Sequence, residues 1–337
     1  MTVLIVILII IAISIILIVH EFGHFLIAKA FGIKVEEFGL GFPPKIIGRK
    51  FKGTLFTLNA IPFGAMVKID NGTTEDRNSF NGKPLAVRIS VMLGGIVFNF
   101  ILGWLILSAA FMIGSPAGIF IADVSKGSPA EVVGLKANDK IISFSKTEDF
   151  QGFVSSNLGK EIQIKIQRGN ERLIFDVTPR INPPKDQGAL GVSLIGSDAM
   201  EKQSFFPALL NGLKTTANIF WEILVFIFKL LKSAFLGNNV LLGLSGPVGA
   251  VKISSQFAYL GVVYLLRILG LISINLAAFN LIPFPALDGG RLWFFLIEKI
   301  RKAPVAQKTQ NIVDSLGFSL LILLSIIIMV KDIKGLF

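Results

Sequence analysis

Residues 3–19 are apolar except for Ser14, and they run directly into His20-Glu21-Phe22-Gly23-His24. No other feature constrains the chain as much. A helix of membrane length must carry two imidazoles and a carboxylate. Helical spacing puts His20 and His24 on one face, close enough to grip one metal ion. Glu21 adjoins the first of them, where H-E-x-x-H helices keep the general base that takes a proton from water held by the metal. The chain has only two histidines, and both are in this motif. A lone histidine in an apolar helix is usually a core residue, but a pair at ligand spacing with a glutamate between them does not fit that reading.

Of the 337 residues, 53% are hydrophobic and 16% charged, against about 25% charged in a soluble domain. Mean hydropathy is +0.71. That balance indicates an integral membrane protein. The net charge of +11 does not call for nucleic acid, because the basic residues are spread over loops between apolar spans, as the positive-inside bias produces. Cysteine is absent, so zinc would have to be held by histidine and carboxylate. Met1-Thr2-Val3 carries no basic n-region and no small-residue cleavage site follows, so the first apolar run is read as a retained span rather than a signal peptide.

Residues 2–31 read as one helix, apolar enough to cross a bilayer core of about 30 Å. Residues 34–88 turn basic and rich in Gly and Pro, with short strands expected at 35–40, 45–50, 54–59 and 64–69. They are either a basic loop or a β-sheet dipping toward the metal, with a free edge to hold an extended peptide. Thr54, Leu55, Thr57 and Leu58 are the residues assigned to that edge. Residues 89–114 form a second span with Gly94-Gly95 and Asn99 inside it. The asparagine is either a helix–helix hydrogen bond, the favoured reading, or a site residue. Residues 116–180 read as a soluble insert: a strand at 118–123, a helix opened by Gly127-Ser128-Pro129-Ala130, a strand at 139–144, and a hairpin of 162–167 with 173–177. Residues 205–236 are apolar but interrupted by Lys214, Glu222, Lys229 and Lys232, so they either span or lie in the interface. Ser245-Gly246-Pro247-Val248-Gly249 is a turn, 259–281 a clear span, and 317–329 with Ile312-Val313 a short last one.

Catalytic zinc keeps three protein ligands and an open position for water. With no third histidine and no cysteine, the third ligand must be Asp or Glu. Pro283 and Pro285 break the helix after residue 281 and free backbone groups at membrane depth, which is tolerable only where the segment is buried in protein or lines a cavity. Asp288 follows, with Gly289-Gly290 behind it. It is a candidate helix N-cap, but a metal site lacking a ligand favours ligation.

In these motifs the chain resembles the site-2 proteases, the intramembrane zinc metalloproteases, and within them the bacterial branch that regulates sigma factors. His20 through His24 match the first family motif. Asn280-Leu281-Ile282-Pro283-Phe284-Pro285-Ala286-Leu287-Asp288-Gly289-Gly290 match N-x-x-P-x-P-x-L-D-G-G at every fixed position. Ser245-Gly246-Pro247 has a family counterpart, and the insert resembles a PDZ domain. The resemblance implies Zn2+ held by His20, His24 and Asp288, with Glu21 as general base and acid for peptide-bond hydrolysis inside the membrane. It implies that Asn280, with Pro283 in the same motif, contacts the substrate backbone or the tetrahedral oxyanion. It further implies that the β-structure after the first span is membrane-associated and receives the substrate strand. The implied substrates are single-span membrane proteins already cut by another protease, such as anti-sigma factors or remnant signal peptides. Two departures stand out: one PDZ module where that branch carries two, and Gly95-Ile96 where Gly-Pro is common.

The expected fold is thus a polytopic α-helical membrane protein with four transmembrane helices, a membrane-associated β-sheet and an inserted PDZ-like β-rich domain. Residues 1–115 would hold the first two spans and the β-loop (34–70), 116–195 the PDZ-like domain, 196–258 an interfacial amphipathic region, and 259–337 the last two spans. With the basic loop inside, the PDZ-like domain lies outside. Asp288 reaches the metal only if 205–236 do not cross. The expected partners are single-span transmembrane substrates and the lipid bilayer, without nucleic acid, for a monomer in the bacterial inner membrane. A catalytically dead scaffold has no need of Glu21 in lipid, and a metal transporter would tend to show repeated halves.

Overall fold

A computed structural model describes residues 2–73, 75–115, 118–169, 171–184, 187–197, 200–236 and 261–334. In chain order the elements are α1 (Thr2–Ala30), β1 (Val35–Phe51), β2 (Thr54–Ile69), α2 (Leu85–Ile113), β3 (Gly118–Val124), α3 (Pro129–Val132), β4 (Lys140–Ile141), α4 (Thr147–Ser155), β5 (Ile162–Arg168), β6 (Glu171–Val177), β7 (Val192–Ser197), α5 (Phe205–Phe235), α6 (Val262–Asn280), α7 (Asp288–Arg301) and α8 (Gln307–Lys334). They form two compact units: Met1–Ser108, Leu209–Ser255 and Leu266–Phe337 in the first, Ala109–Ala208 and Gln256–Leu265 in the second. Among the described residues four helices are long and apolar enough to cross a membrane: Ile9–Ala30, Leu85–Ile113, Val262–Leu281 and Gln307–Val330. The last is longer than expected, because the helix starts at the polar Gln307 ahead of its apolar run. The Ser245–Gly249 turn and the expected span start at residue 259 lie outside the described residues.

In the first unit, α1 ends in a Schellman motif. Gly32 adopts φ +68°, and Ile33 N–H donates to Ala28 at 2.9 Å while Gly32 N–H donates to Lys29 at 3.0 Å. α1 and α2 touch backbone to backbone, because a Cβ on Gly23 would collide with the Gly94 carbonyl. α5 carries Lys214, Glu222, Lys229 and Lys232 and is not among the four candidate spans. It packs on the second half of α2: Trp104 Nε1–H donates to the Leu209 carbonyl at 2.8 Å, and Phe100 meets Phe220 edge to face at 5.5 Å.

β1 and β2 each fold back, so their register gives four runs in the order 45–51, 54–59, 35–40, 65–69. Phe51 pairs with Thr54 and Lys45 with Asn59. On their other side 55–58 face 37–40, and Val35 to Leu40 pair with Ile69 to Ala65. This corrects the placement of the free edge. The run holding Thr54, Leu55, Thr57 and Leu58 is interior, and the outer runs are 45–51 and 65–69. Thr54 and Thr57 are buried, their hydroxyls donating to the Val35 carbonyl at 2.9 Å and the Glu37 carboxylate at 2.7 Å. The strand pattern shows where the chain is extended, whereas strand order depends on long-range pairing that local alternation does not encode. Phe38 and Phe56 dock the sheet on Phe25 of α1, with ring centroids 5.3 and 5.8 Å away.

The second unit holds a five-stranded sheet in the order β6-β5-β4-β3-β7, over a core that includes Ile119, Ile141, Phe150, Ile164 and Ile166. Ser128 caps α3 by accepting from Glu131 N–H at 3.2 Å, and Glu131 reaches back to Gly127 N–H. The buried Asp139 carboxylate is held by both arms of Arg168 at 2.7 Å. Two elements go beyond the expected pattern. α4 supplies Phe150 and Val154 to the core, and β7 pairs with β3.

Candidate metal centre

Three side chains from two distant parts of the chain meet inside the first unit. His20 and His24 project from α1 and Asp288 from the first position of α7. Asp288 Oδ2 stands 3.1 Å from His20 Nε2 and 3.2 Å from His24 Nε2, and the two Nε2 atoms are 3.2 Å apart. His20 and His24 are buried. Asp288 does not serve as an N-cap: Leu287 occupies that position, and no side-chain cap bond is made.

The hydrogen positions decide what this triangle is. His24 Nδ1 lies 2.8 Å from the Val91 carbonyl. A carbonyl only accepts, so Nδ1 carries the hydrogen and Nε2 of the neutral ring presents a lone pair. His20 Nδ1 faces Asn99 Nδ2 at 3.4 Å, while Asn99 Oδ1 is buried without a partner; exchanging the two amide positions satisfies that oxygen, which then accepts from Nδ1–H and again leaves Nε2 as the lone-pair end. Asp288 Oδ2 is buried without a hydrogen-bond donor. Three lone-pair atoms thus converge where only a cation or a proton relieves their repulsion. In a tetrahedral zinc site with bonds of about 2.0–2.2 Å, ligand atoms stand roughly 3.3–3.6 Å apart. The triangle is within a few tenths of an ångström of that, so the donor set fits a metal ion with a further position open.

Local sequence explains the convergence. Gly95 of α2 lies against both rings, where a Cβ would come within 2.6 Å of His20 Cε1 and 2.8 Å of His20 Nδ1. After α6 the chain turns through Ala286 at φ +72°. Gly289 and Gly290 pack on the Ile282 and Phe284 carbonyls, where any Cβ would collide. That close approach delivers Asp288 to the imidazoles.

A cleft of about 680 Å³ opens beside the triangle, lined by Glu21, His24 and Asp288 and walled on one side by the outer run 65–69. Val67 on that run lines the same cleft as Glu21. Of the remaining sequence candidates, Asn280 is turned back on its own helix, its Nδ2 donating to the Leu276 carbonyl at 3.1 Å. Pro283 is exposed and outside the residues lining the cleft. Asn99 meets both readings. Its backbone carbonyl accepts from Ser273 Oγ of α6 at 2.8 Å, and its side chain links α2 to His20 of α1. A polar residue eight positions after Val91 on an apolar helix was the available signal; which helix it faces is not local information. Asp314 on α8 also went unnoticed, and it accepts from Ala286 N–H at 3.3 Å.

A buried two-histidine, one-carboxylate triangle beside an uncoordinated glutamate is the layout of a metal-dependent hydrolase. Comparison with known proteins agrees with that class. The model of peptidase family M50 matches residues 8–324, and the chain belongs to that family. It is 35% identical over 330 residues to a putative zinc metalloprotease of Clostridium perfringens, covering 96% of each chain. It is 27% identical over 411 residues to the regulator of sigma-W protease RasP of Bacillus subtilis, covering 94% of this chain and 95% of the relative. It is also 27% identical over 422 residues to the probable protease Eep of Enterococcus faecalis, with 97% and 98% covered.

Gly95 gives a direct test of the fit. Gly95→Ala crowds both rings and should leave the purified protein with much less bound metal by elemental analysis, while its helical circular dichroism is kept. Wild-type metal content in this variant would show that the rings have room to spare and that the close approach is not required.

Proposed function

We propose that this peptidase is a zinc endopeptidase that cuts single-span membrane proteins within the bilayer. The observation that carries the reading is the convergence of His20, His24 and Asp288 beside Glu21, in a cleft walled by a strand edge. His20 and His24 Nε2 and an Asp288 oxygen would hold the ion, with Asn99 and Val91 fixing the two rings from behind. When bound there, zinc polarises the scissile carbonyl and lowers the pKa of water. Glu21 takes the proton from the attacking water and hands it to the leaving amide nitrogen, so the peptide C–N bond breaks as a new C–O bond forms. The client lies extended along run 65–69, taking backbone hydrogen bonds there as an added strand. Asn280 exchanges its bond to Leu276 for one to the client backbone, next to Pro283.

Two clients fit such a site: an anti-sigma factor trimmed by an earlier protease, and a remnant signal peptide. Each presents a short apolar segment without a large folded domain. The enzyme acts as a monomer in the bacterial inner membrane. The second unit, residues 116–195 in the sequence reading, is a PDZ-like module on the extracytoplasmic side.

Glu21→Gln removes the proton acceptor and none of the ligands. It should bind zinc normally and lose at least ~100-fold in cleavage of a single-span client, whereas His20→Ala, His24→Ala and Asp288→Asn should lose zinc itself. Near wild-type cleavage by Glu21→Gln would remove Glu21 from the mechanism.

The strand edge is tested by proline, which deletes one backbone donor. Proline placed singly at Ala65, Met66 and Lys68 should raise the client KM or abolish turnover at unchanged zinc content. If all three variants turn over normally, the client binds elsewhere.

The membrane arrangement follows from charge. The basic loop 34–88 and the basic residues Arg291, Lys299, Arg301, Lys302 and Lys308 lie inside together only if α5 does not cross. Single cysteines at Lys202 and Leu236 should then both react with an impermeant thiol reagent on intact cells. Labelling of one only after the membrane is opened would mean that α5 crosses, and the arrangement would have to be redrawn.

A further inference from the structure

We infer that the Arg88–Glu298 ion pair is a positioning device for the metal centre, setting where the Asp288 carboxylate stands relative to His24. The inference rests on the proposed metal site and adds to it two residues remote from the triangle. Arg88 lies in the first turn of α2, and Glu298 lies near the far end of α7. Their side chains pair directly, 13% and 7% exposed. The Arg88 guanidinium also sits over the Phe295 ring, 4.7 Å from its centroid. Phe295 in turn belongs to a buried cluster with Ala28, Ile33, Val91 and Met92.

The pair joins the two bodies that carry the ligands. Three residues after Arg88, the Val91 carbonyl accepts from His24 Nδ1. Ten residues before Glu298 is Asp288, about 15 Å away along the helix at 1.5 Å per residue. One turn of α2 therefore holds a histidine ligand directly, and holds the carboxylate ligand through the length of α7. The second oxygen of Glu298 accepts from Val305 N–H at 3.1 Å, at the entrance to α8. Asp314 on α8 accepts from Ala286 N–H, two residues before Asp288. The carboxylate ligand is thus braced from both sides, and Glu298 is a member of both braces.

Stability alone does not account for such a pair. Two charges removed from water recover their solvation only when pairing is excellent, and a well-packed apolar pair in their place is often as stable. Here the guanidinium Nε is buried without a partner, so the compensation is incomplete. What an ion pair provides that an apolar contact does not is a fixed register between two helices. Metal ligands need that register, since a workable site keeps its donor distances within about 0.2 Å.

The experiment uses the full-length protein in detergent. Zinc affinity is read by competition with a chelator, and kcat and KM are read with a single-span client. Arg88→Met and Glu298→Met should each weaken zinc binding by about 10- to 100-fold, the range for outer partners of metal ligands. They should lower kcat with little change in client KM. The double variant Arg88→Met/Glu298→Met leaves no unpaired charge and should recover most of both losses. Arg88→Lys keeps the charge and should bind zinc close to wild type; it serves as the second probe if a Met variant does not fold. Folded single variants with wild-type zinc affinity and kcat would overturn the inference, as would a double variant no better than the singles. His24→Ala separates the two readings. If it retains zinc, the metal site itself is wrong; if it loses zinc while Arg88→Met and Glu298→Met do not, only the positioning role falls.

Discussion

Three lone-pair atoms pointing at one another inside apolar protein are the constraint on which the first unit depends. Nε2 of His20, Nε2 of His24 and an oxygen of Asp288 lie 3.1–3.2 Å apart. Without a cation or proton between them, that geometry is repulsive in a medium where charge is weakly screened. Holding it requires close backbone approach, and glycine supplies it at each junction: Gly23 against Gly94, Gly95 against the rings, Gly289 and Gly290 against the broken segment after α6. A methyl group at any of these points would displace a ligand or the helix that carries it.

In the proposed function the sheet would solve a second problem. A peptide bond in a transmembrane helix has its N–H and C=O already paired, so no hydrolase can reach it until the helix opens. An unpaired strand edge offers replacement hydrogen bonds to the opened segment, which lowers the cost of unwinding in a place without water. Among the described residues the run 65–69 is such an edge, and Val67 on it lines the same cleft as Glu21. The edge and the proposed base therefore face one cleft. The phenylalanine contacts of α1 with Phe38 and Phe56 keep the sheet from sliding along the helix.

Much of this could be read from the sequence. The H-E-x-x-H spacing, the missing third ligand and the two prolines ahead of Asp288 are local patterns with a chemical reason behind each. They named the three donors that the structure brings together. The four long apolar helices were legible for the same reason, since length and composition are properties of a segment by itself. What was not legible depends on pairing between segments. The extended runs at 35–69 were anticipated, but their order was not, so Thr54, Leu55, Thr57 and Leu58 were set on an edge that belongs to 65–69. Asn99 was read as a link between helices and is one, but nothing near it in sequence identifies His20, 79 residues away, as its neighbour. β7 was overlooked because its partner β3 lies about seventy residues earlier.

The broken segment after α6 shows how irregular backbone survives at membrane depth. Its freed groups must be satisfied within the protein. Leu281 and Ile282 N–H bond to the Ala278 and Phe279 carbonyls at 3.2 and 3.1 Å, continuing the helix as a tighter turn. Phe284 N–H donates to Ile282, and Leu287 N–H to Phe284. Pro283 and Pro285 have no N–H to satisfy. That leaves Ala286, whose donor points away from the turn and is taken by Asp314 of α8. Gly317, one turn further along α8, lets that helix lie directly on Pro285. The other side chains of α8 are largely exposed, as suits a helix facing lipid. Its place in the chemistry therefore rests on this small contact: one carboxylate that completes the turn, and one glycine that lets it get there.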